Sequence, residues 1–314
     1  MLLAMQLIIL KLIFLLDFTT SNLLFQLSTN FDTLSEEEVY ALLGKPQTET
    51  VQMLSGEHPG PSAPTYVVDM PDFVNIDPSK LTRENIRIID FDQSFDTTAP
   101  PTTVLGIPPA YMAPESIFDL TAGVHSDIWA LGCAIFRMRA GYDLFASEVP
   151  VFDLTGAGTP SDTIGQVVKT IGELPAAWSH IRFDDEDGLP IRDGEGQEKE
   201  SGDLGYAPME RPLLDAILSI EDEPMGNATL DSLFWRPPPA GTDSDSEEGT
   251  RVETEQEKDV LPKISHEEAT SFHDLLSRIF IYNPTQRISA AELSRHPWFT
   301  GDFSVMKEKE EGKQ

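Results

Sequence analysis

Acidic and amide side chains that flank two short apolar runs are the residues of this chain best placed to do chemistry. Asp17 stands five residues before Asn22, and Asn22 leads directly into the apolar run LLFQL. Farther along, the apolar run Ile86–Ile89 ends in Asp90. Such side chains can accept a proton or bind a hard cation. The spacing Asp-x-x-x-x-Asn specifies little alone, so its place ahead of two strand-like runs gives it weight.

Three further motifs follow in order along the chain. Residues 108–115 read PPAYMAPE, residues 127–132 read DIWALG, and residues 283–287 read NPTQR, ahead of HPWF at 296–299. Each motif has a plain structural explanation when taken alone. Asp127 can be a helix N-cap, Glu115 can belong to a surface turn, and His296 is expected to pack or cap rather than bind a metal. Four motifs in this order over residues 17–299 are not explained that way.

The ordered set resembles the C-terminal lobe of a eukaryotic protein kinase. The resemblance implies transfer of the γ-phosphoryl group of ATP to a Ser or Thr hydroxyl of a protein. In that pattern Asp17 is the catalytic base, and Asn22 and Asp90 bind Mg²⁺. ATP and Mg²⁺ are therefore the expected cofactors.

The same resemblance assigns structural roles to five other residues. Phe91 and Gly106 belong to the activation segment, and Asp127 braces the backbone of the catalytic loop. Glu115 closes the activation segment and pairs with Arg287 in a buried ion pair. Removing one partner of such a pair costs about 3–5 kcal/mol, so we expect Arg287→Ala to unfold the domain.

Two insertions are similar to those of SR-protein kinase-like members of the CMGC group, particularly the fungal ones. One separates Asn22 from Asp90 and contains SEEEVYALLGKP, and the other follows GELPAAW at 172–178. This resemblance implies a basic, Arg/Ser-rich protein substrate, by analogy alone.

The chain departs from the kinase pattern at positions that bear on activity. Leu15 and Leu16 replace the usual His-Arg, Thr19 replaces a Lys, and Asp92 replaces the Gly after Asp90-Phe91. Nothing before Asp17 supplies a Gly-rich loop or the ATP-positioning Lys, so no nucleotide-binding residues are assigned. We expect a truncated kinase with weak or no activity. One alternative is a catalytically dead, kinase-like module that binds basic partners, and another is a reading frame that continues upstream of Met1.

The net charge of the chain indicates which kind of macromolecule it could bind. The formal net charge is −31, which argues against direct nucleic-acid binding and suits a basic protein substrate. Residues 184–260 hold 23 acidic and 6 basic side chains, so much of this charge lies in one segment that is expected to be a disordered insertion. We expect a monomer.

The N-terminus and the single cysteine bear on location. The apolar run before Asp17 contains Lys11, lacks a small-x-small cleavage site, and is shorter than the about 20 residues that a membrane span needs. We interpret it as the end of the helix before the catalytic loop, not as a targeting or membrane segment. Cys133 excludes an internal disulfide and a Cys-based zinc site, and it suits a reducing compartment, cytoplasm or nucleus.

The expected fold is α+β and predominantly α, a protein-kinase-like C-terminal lobe that lacks the N-terminal β lobe. The expected segments are 1–27, the end of a helix, the catalytic loop and a strand; 28–85, an insertion with a short helix and a loop; 86–183, the activation segment and central helices; 184–262, the acidic insertion; 263–301, the closing helices; and 302–314, a charged tail.

Local signals predict the individual elements. Strands are expected at residues 23–27 and Ile86–Ile89, and Ser35 with Glu38 predicts a capping box at the start of a helix that ends near Gly44. Residues 55–85 are expected to form a surface loop. A buried central helix is predicted over 126–140, and helical stretches over 162–178, 213–220, 267–280 and 290–299.

Overall fold

The computed structural model describes ten stretches of the chain: residues 18–28, 31–53, 60–69, 81–92, 94, 106–146, 158–184, 187–191, 212–220 and 263–301. These residues divide into two compact units. The first holds those within 1–24, 86–222 and 249–314, and the second holds those within 25–85 and 223–248. Among the described residues, no helix is both long and apolar enough to cross a membrane.

The elements are mostly helical, with two small sheets, so the predicted α+β class is confirmed. The strands are β1 Leu23–Leu27, β2 Thr48–Thr50, β3 Tyr66–Val68 and β4 Thr82–Ile88. The helices are α1 Glu36–Leu43, α2 Pro114–Phe118, α3 Val124–Ala140, α4 Pro160–Ile171, α5 Pro212–Leu218, α6 His266–Ile279, α7 Ala290–Leu293 and α8 Pro297–Thr300. Single 3₁₀ turns lie at Thr20–Asn22, Phe31–Thr33, Pro109–Tyr111 and Pro284–Gln286.

Strands β1 and β4 form an antiparallel pair, as the backbone bonds at its two ends show. The amide of Ser28 donates to the carbonyl of Leu81 at one end, and the amide of Ile89 donates to that of Asn22 at the other. The prediction of β1 is confirmed in full. The second strand begins earlier than predicted, at Thr82, because the preceding polar residues also pair with β1.

The second unit contains the predicted capped helix and a sheet that the sequence analysis missed. Ser35 accepts a hydrogen bond from the Glu38 amide, the Glu38 carboxylate accepts one from the Ser35 amide, and Gly44 ends α1 with a positive φ of 82°. Strands β2 and β3 pair in an antiparallel hairpin. The expectation of a loop over 55–85 is therefore wrong for β3 and for the start of β4. Three-residue strands separated by Gly and Pro are too short to show an alternating pattern.

Helix α3 is the centre of the first unit. Eleven consecutive residues from Ser126 to Phe136 are buried, in agreement with the predicted buried helix, and Gly141 ends it with a left-handed φ of 84°. Gly132 allows a close approach between α3 and the end of α6. A Cβ there would lie 2.5 Å from Cγ2 of Ile279 and 3.0 Å from the ring of Phe280.

Two other helical stretches of the first unit end differently from the prediction. Helix α4 begins at a Thr159–Asp162 capping box but stops at Ile171, because Gly172 takes a φ of 104°. The predicted continuation to residue 178 is therefore wrong. The stretch predicted as one helix over 290–299 is two helices, because His296 is held extended ahead of Pro297, the first residue of α8.

Aromatic side chains fill the core between α3 and α6. The ring of Trp129 stacks on Phe145, with the ring centroids 5.5 Å apart, and meets Phe280 edge-on at 5.0 Å. Phe272 stacks on Trp298 with a centroid distance of 4.6 Å. All five rings are at most 4% exposed. These contacts join α3 to Phe280 and join α6 to α8, so the first unit is closed by its C-terminal helices.

Candidate active site and its anchors

The ion pair predicted between Glu115 and Arg287 is present. Both guanidinium Nη atoms donate to the two carboxylate oxygens at 2.6 Å, across 172 residues of chain. The side chains are 5% and 0% exposed respectively. A bidentate, charge-assisted pair of this kind is among the strongest polar contacts in a protein. Glu115 lies buried in α2, so the alternative of a surface turn is wrong.

Further contacts complete the hydrogen bonding of this pair. Ser126 donates to Glu115 at 3.0 Å, and Arg287 donates to the carbonyl oxygens of His125 and Ile281 at 2.8 and 2.9 Å. The guanidinium carbon also lies 4.9 Å from the centre of the Trp129 ring. We call Glu115, Ser126, Trp129 and Arg287 the anchor cluster. It ties the end of the 106–115 segment to α3 and to the closing helices.

The two predicted metal ligands, Asn22 and Asp90, lie at one end of the β1–β4 pair. The amide of Ile89 donates to the carbonyl of Asn22 at 3.1 Å, so Asp90 follows directly after a residue bonded to Asn22. Asn22 is 8% exposed, whereas Asp90 is exposed. We call Asn22, Ile89 and Asp90 the ligand edge. Asp17, the predicted base, lies outside the described residues.

Asp90 has a backbone conformation that the sequence could not reveal. Its φ is +63°, in the left-handed region that only a few per cent of non-glycine residues adopt, with Asp and Asn enriched. Strained positions of this kind cluster at functional sites. The left-handed residue turns the chain sharply at the end of β4.

The residues after Asp90 are exposed. Phe91 is 57% exposed, and Asp92 and Gly106 are also exposed. Phe91 is therefore not packed into the core in this structure, unlike Glu115 and Arg287. The beginning of the predicted activation segment contrasts with its buried end.

The Pro109–Tyr111 turn lies between exposed Gly106 and buried Glu115 in the chain, and it is packed against α3 and α4. The Tyr111 hydroxyl lies 3.1 Å from the hydroxyl of Thr20, in the turn that ends at Asn22. Burial raises the pKa of Tyr111, so its hydroxyl stays protonated at neutral pH. Sequence reasoning gave neither residue a role, because a single hydroxyl pair across 91 residues leaves no local pattern.

Asp127 and His296 occupy defined structural positions. Asp127 lies 3% exposed in the first turn of α3, whose N-cap is Gly123, so the N-cap interpretation of Asp127 is wrong. Nδ1 of His296 accepts from the Trp298 amide at 3.3 Å, and Nε2 lies 2.9 Å from Asp274. His296 thus caps α8, as expected. Across the described part of the chain, no group of three or more His, Cys, Asp and Glu could hold a metal ion.

The donors at the ligand edge fit magnesium. An amide and a carboxylate are hard oxygen ligands, and Mg²⁺ takes few protein ligands because it retains several waters. Exposed Asp90 leaves room for those waters, and buried Asn22 is held by its backbone bond to Ile89.

Comparisons with known proteins point to a family for part of the chain. Residues 76–178 match the protein kinase domain family. Serine/threonine-protein kinase Nek3 of Oryza sativa subsp. japonica is 43% identical over 63 residues, 19% of this chain and 11% of that protein. The probable serine/threonine-protein kinase clkA of Dictyostelium discoideum is 26% identical over 220 residues, 69% of this chain and 17% of that protein.

The comparisons support the protein kinase superfamily. The kinase-domain match contains Asp90, Gly106, Glu115 and Asp127, whereas Arg287 lies beyond it. The chain spans less than a fifth of the length of each kinase relative named above. The kinase relationship thus rests on the 76–178 match and these relatives. Arg287 lies outside that match and is joined to it by its ion pair with Glu115.

Proposed function

We propose that this chain carries the catalytic-loop and substrate-binding part of a protein serine/threonine kinase, which transfers the γ-phosphoryl group of ATP to a protein hydroxyl. The backbone bond from Ile89 to Asn22 is the observation that carries the proposal. It brings an amide from one segment and a carboxylate from another, 68 positions later, to one edge. The segment 106–115, which is anchored through Glu115, belongs to the same unit as Asn22 and Asp90.

Each residue of this site has a proposed task. Asp17 would accept the proton of the substrate hydroxyl, since it stands five residues before Asn22. Asn22 and Asp90 would hold Mg²⁺, which neutralises charge on the transferring phosphoryl group when bound. The segment 106–115 would receive the substrate peptide, with Glu115 fixing its end. Positioning of this kind supplies most of the catalysis in phosphoryl transfer.

The finer assignment is an SR-protein kinase-like enzyme of the CMGC group acting on basic, Arg/Ser-rich proteins in the cytoplasm or nucleus. The net charge of −31 supports a basic substrate. Thr19 and Asp92 depart from the kinase pattern, and the added carboxylate of Asp92 would repel phosphate. We therefore propose low activity for the 314-residue chain by itself.

Binding of Mg·ATP to the full chain, measured by titration calorimetry, tests the metal ligands. Asp90→Asn is expected to weaken Mg·ATP binding by about tenfold or more, because the variant loses a charged ligand. Asp32→Asn is the matched control, since it removes the same charge from an exposed carboxylate of the second unit. Equal Mg·ATP affinity in the wild type and Asp90→Asn would contradict the assignment.

Phosphate transfer to a basic, Ser-rich peptide tests the base. Any transfer by the wild type should disappear in Asp17→Asn, whose amide cannot accept the proton. Strong transfer by the wild type that survives this substitution would exclude Asp17 as the base.

The competing function is a non-catalytic, kinase-like module that binds basic partners. The exposure of Phe91 favours it, because this side chain does not pack at the ligand edge. Peptide binding that is unchanged by Mg·ATP, together with no Mg·ATP affinity, would favour the module over the enzyme.

A further inference from the structure

A hydroxyl pair connects the ligand edge to the segment proposed to receive the substrate. The side-chain oxygens of Thr20 and Tyr111 lie 3.1 Å apart, although the two residues are separated by 91 positions. Thr20 is two residues before Asn22 in the same 3₁₀ turn. Tyr111 ends the Pro109–Tyr111 turn, within the PPAYMAPE segment. The pair therefore joins the two proposed working parts of the first unit by a direct contact.

The Tyr111 side of the contact is rigid. Tyr111 is 6% exposed, and α3 and α4 pack against its turn. The turn begins at Pro109, whose ring fixes φ, and the amides of Tyr111 and Met112 donate to the carbonyls of Pro108 and Pro109 at 2.9 Å. A phenol held in this way has a fixed direction, so it can fix the position of a more weakly held partner.

The Thr20 side is a single turn with a weak start. Its N-cap, Thr19, makes no side-chain capping bond, and the Asn22 amide donates to the Thr19 carbonyl at 3.2 Å. A three-residue turn has few internal bonds, so lateral contacts decide its geometry. The turn also supplies the carbonyl to which Ile89 donates, so any movement of the turn displaces the whole ligand edge.

The chemistry of the pair suits a permanent contact. Both groups can donate and accept, and burial keeps the phenol protonated across the physiological range. The nearby Arg137–Asp143 ion pair has opposing effects on the pKa of Tyr111, because the Asp143 charge raises it and the Arg137 charge lowers it. The contact therefore persists without depending on pH near neutrality.

We propose that Tyr111, through Thr20, is a positioning residue that holds Asn22 and the ligand edge in place. One consequence rests on the proposed function. It is that metal binding at the ligand edge and peptide binding at 106–115 influence each other. Such coupling is reciprocal, so a peptide that binds more tightly when the metal is present tightens metal binding by the same factor.

Amide hydrogen exchange in the full chain tests the contact. Tyr111→Phe and Thr20→Val each remove one hydroxyl while keeping nearly the same shape. Each should raise the exchange rate of the Asn22 and Ile89 amides by about 3- to 10-fold, the worth of one hydrogen bond. The double variant should exchange no faster than either single variant, because the same bond is lost in all three. Thr20→Ser keeps the hydroxyl and should exchange like the wild type.

Tyr282→Phe is the matched control. The Tyr282 hydroxyl donates to the Gly172 carbonyl at 2.6 Å, elsewhere in the first unit. Removing it should lower the melting temperature about as much as Tyr111→Phe does, without changing exchange at Asn22 or Ile89. Unchanged exchange in Tyr111→Phe, or effects of Thr20→Val and Tyr111→Phe that multiply in the double variant, would overturn the proposal.

Manganese affinity, measured by water-proton relaxation, separates this proposal from the proposed function. Mn²⁺ stands in for Mg²⁺ and should bind 3- to 10-fold more weakly to Tyr111→Phe but normally to Tyr282→Phe. A wild-type chain that binds no Mn²⁺ would contradict the proposed metal site, and the exchange rates would still decide whether Tyr111 positions Asn22.

Discussion

The anchor cluster and the ligand edge differ in how firmly the fold holds them. Glu115 and Arg287 are almost fully buried and make two bonds to each other and further bonds to three other residues. Asp90 is exposed and follows a backbone bond between Ile89 and Asn22. The strongest polar contacts thus stabilise the fold at the anchor cluster, which has no proposed role in the chemical step. We therefore expect substitution of exposed Asp90 to preserve the fold and substitution of Glu115 or Arg287 to disrupt it.

Arg287→Ala is the largest predicted effect. It leaves Glu115 as a buried carboxylate without its cation, which costs about 3–5 kcal/mol and is expected to unfold the first unit. Urea unfolding followed by circular dichroism measures this. Arg278→Ala is the control, since its pair with Asp274 is 46% and 33% exposed and is worth less than about 1 kcal/mol. Equal losses for the two variants would remove the distinction between the anchor cluster and an ordinary surface pair.

Gly132→Ala tests whether the surroundings of the anchor cluster are closely packed. The new methyl group would lie 2.5 Å from Cγ2 of Ile279, so α3 and α6 must separate, at a cost of about 1–3 kcal/mol. The melting temperature should fall accordingly. Gly123→Ala, where no atom lies within 4 Å of the new Cβ, should change it far less. A neutral Gly132→Ala would mean that the interface between α3 and α6 is not tightly packed.

Asp274 adds a smaller, pH-dependent stabilisation to the closing helices. Burial by itself would raise the pKa of Asp274, but hydrogen bonds from His296 and Arg278 outweigh it and hold the pKa below its ordinary value of 3.8. A lowered folded-state pKa stabilises the fold above the unfolded-state pKa, and this contribution is lost as pH falls through the folded-state pKa.

Asp274→Asn should therefore be less stable than the wild type near neutrality, by less than about 1 kcal/mol because the pair is partly exposed. The difference should shrink as pH falls below the ordinary pKa of 3.8 and vanish once the pH is below the lowered folded-state pKa. Unfolding curves between pH 2 and 7, a range about the usual Asp pKa, measure this. A difference that persists in acid would show that the lost stability is not due to the Asp274 charge.

Asp90→Asn is the smallest predicted effect on stability. Asn also tolerates a left-handed backbone, and Asp90 is exposed, so stability should change by less than about 0.5 kcal/mol. Mg·ATP affinity should nevertheless fall, as stated for the proposed function. A large loss of stability in Asp90→Asn would show that the ligand edge supports the fold as the anchor cluster does.

The sequence predicted the parts of the molecule that depend on motifs or on strong local signals. The α1 capping box, the buried helix α3 and the Glu115–Arg287 pair all belong to this class. The β2–β3 hairpin was missed because its strands are three residues long. The positive φ of Asp90 and the Thr20–Tyr111 contact depend on tertiary packing, which no short pattern records.

The order of synthesis gives the Glu115–Arg287 pair one more consequence. Its two members are 172 residues apart, and ribosomes add about 5–20 residues per second. Glu115 is therefore synthesised roughly 9–34 s before Arg287. During that interval burial of the carboxylate is unfavourable, so the 106–115 segment cannot settle into its final place. The segment stays open until Arg287 has left the ribosome, and during that interval it is accessible to chaperones.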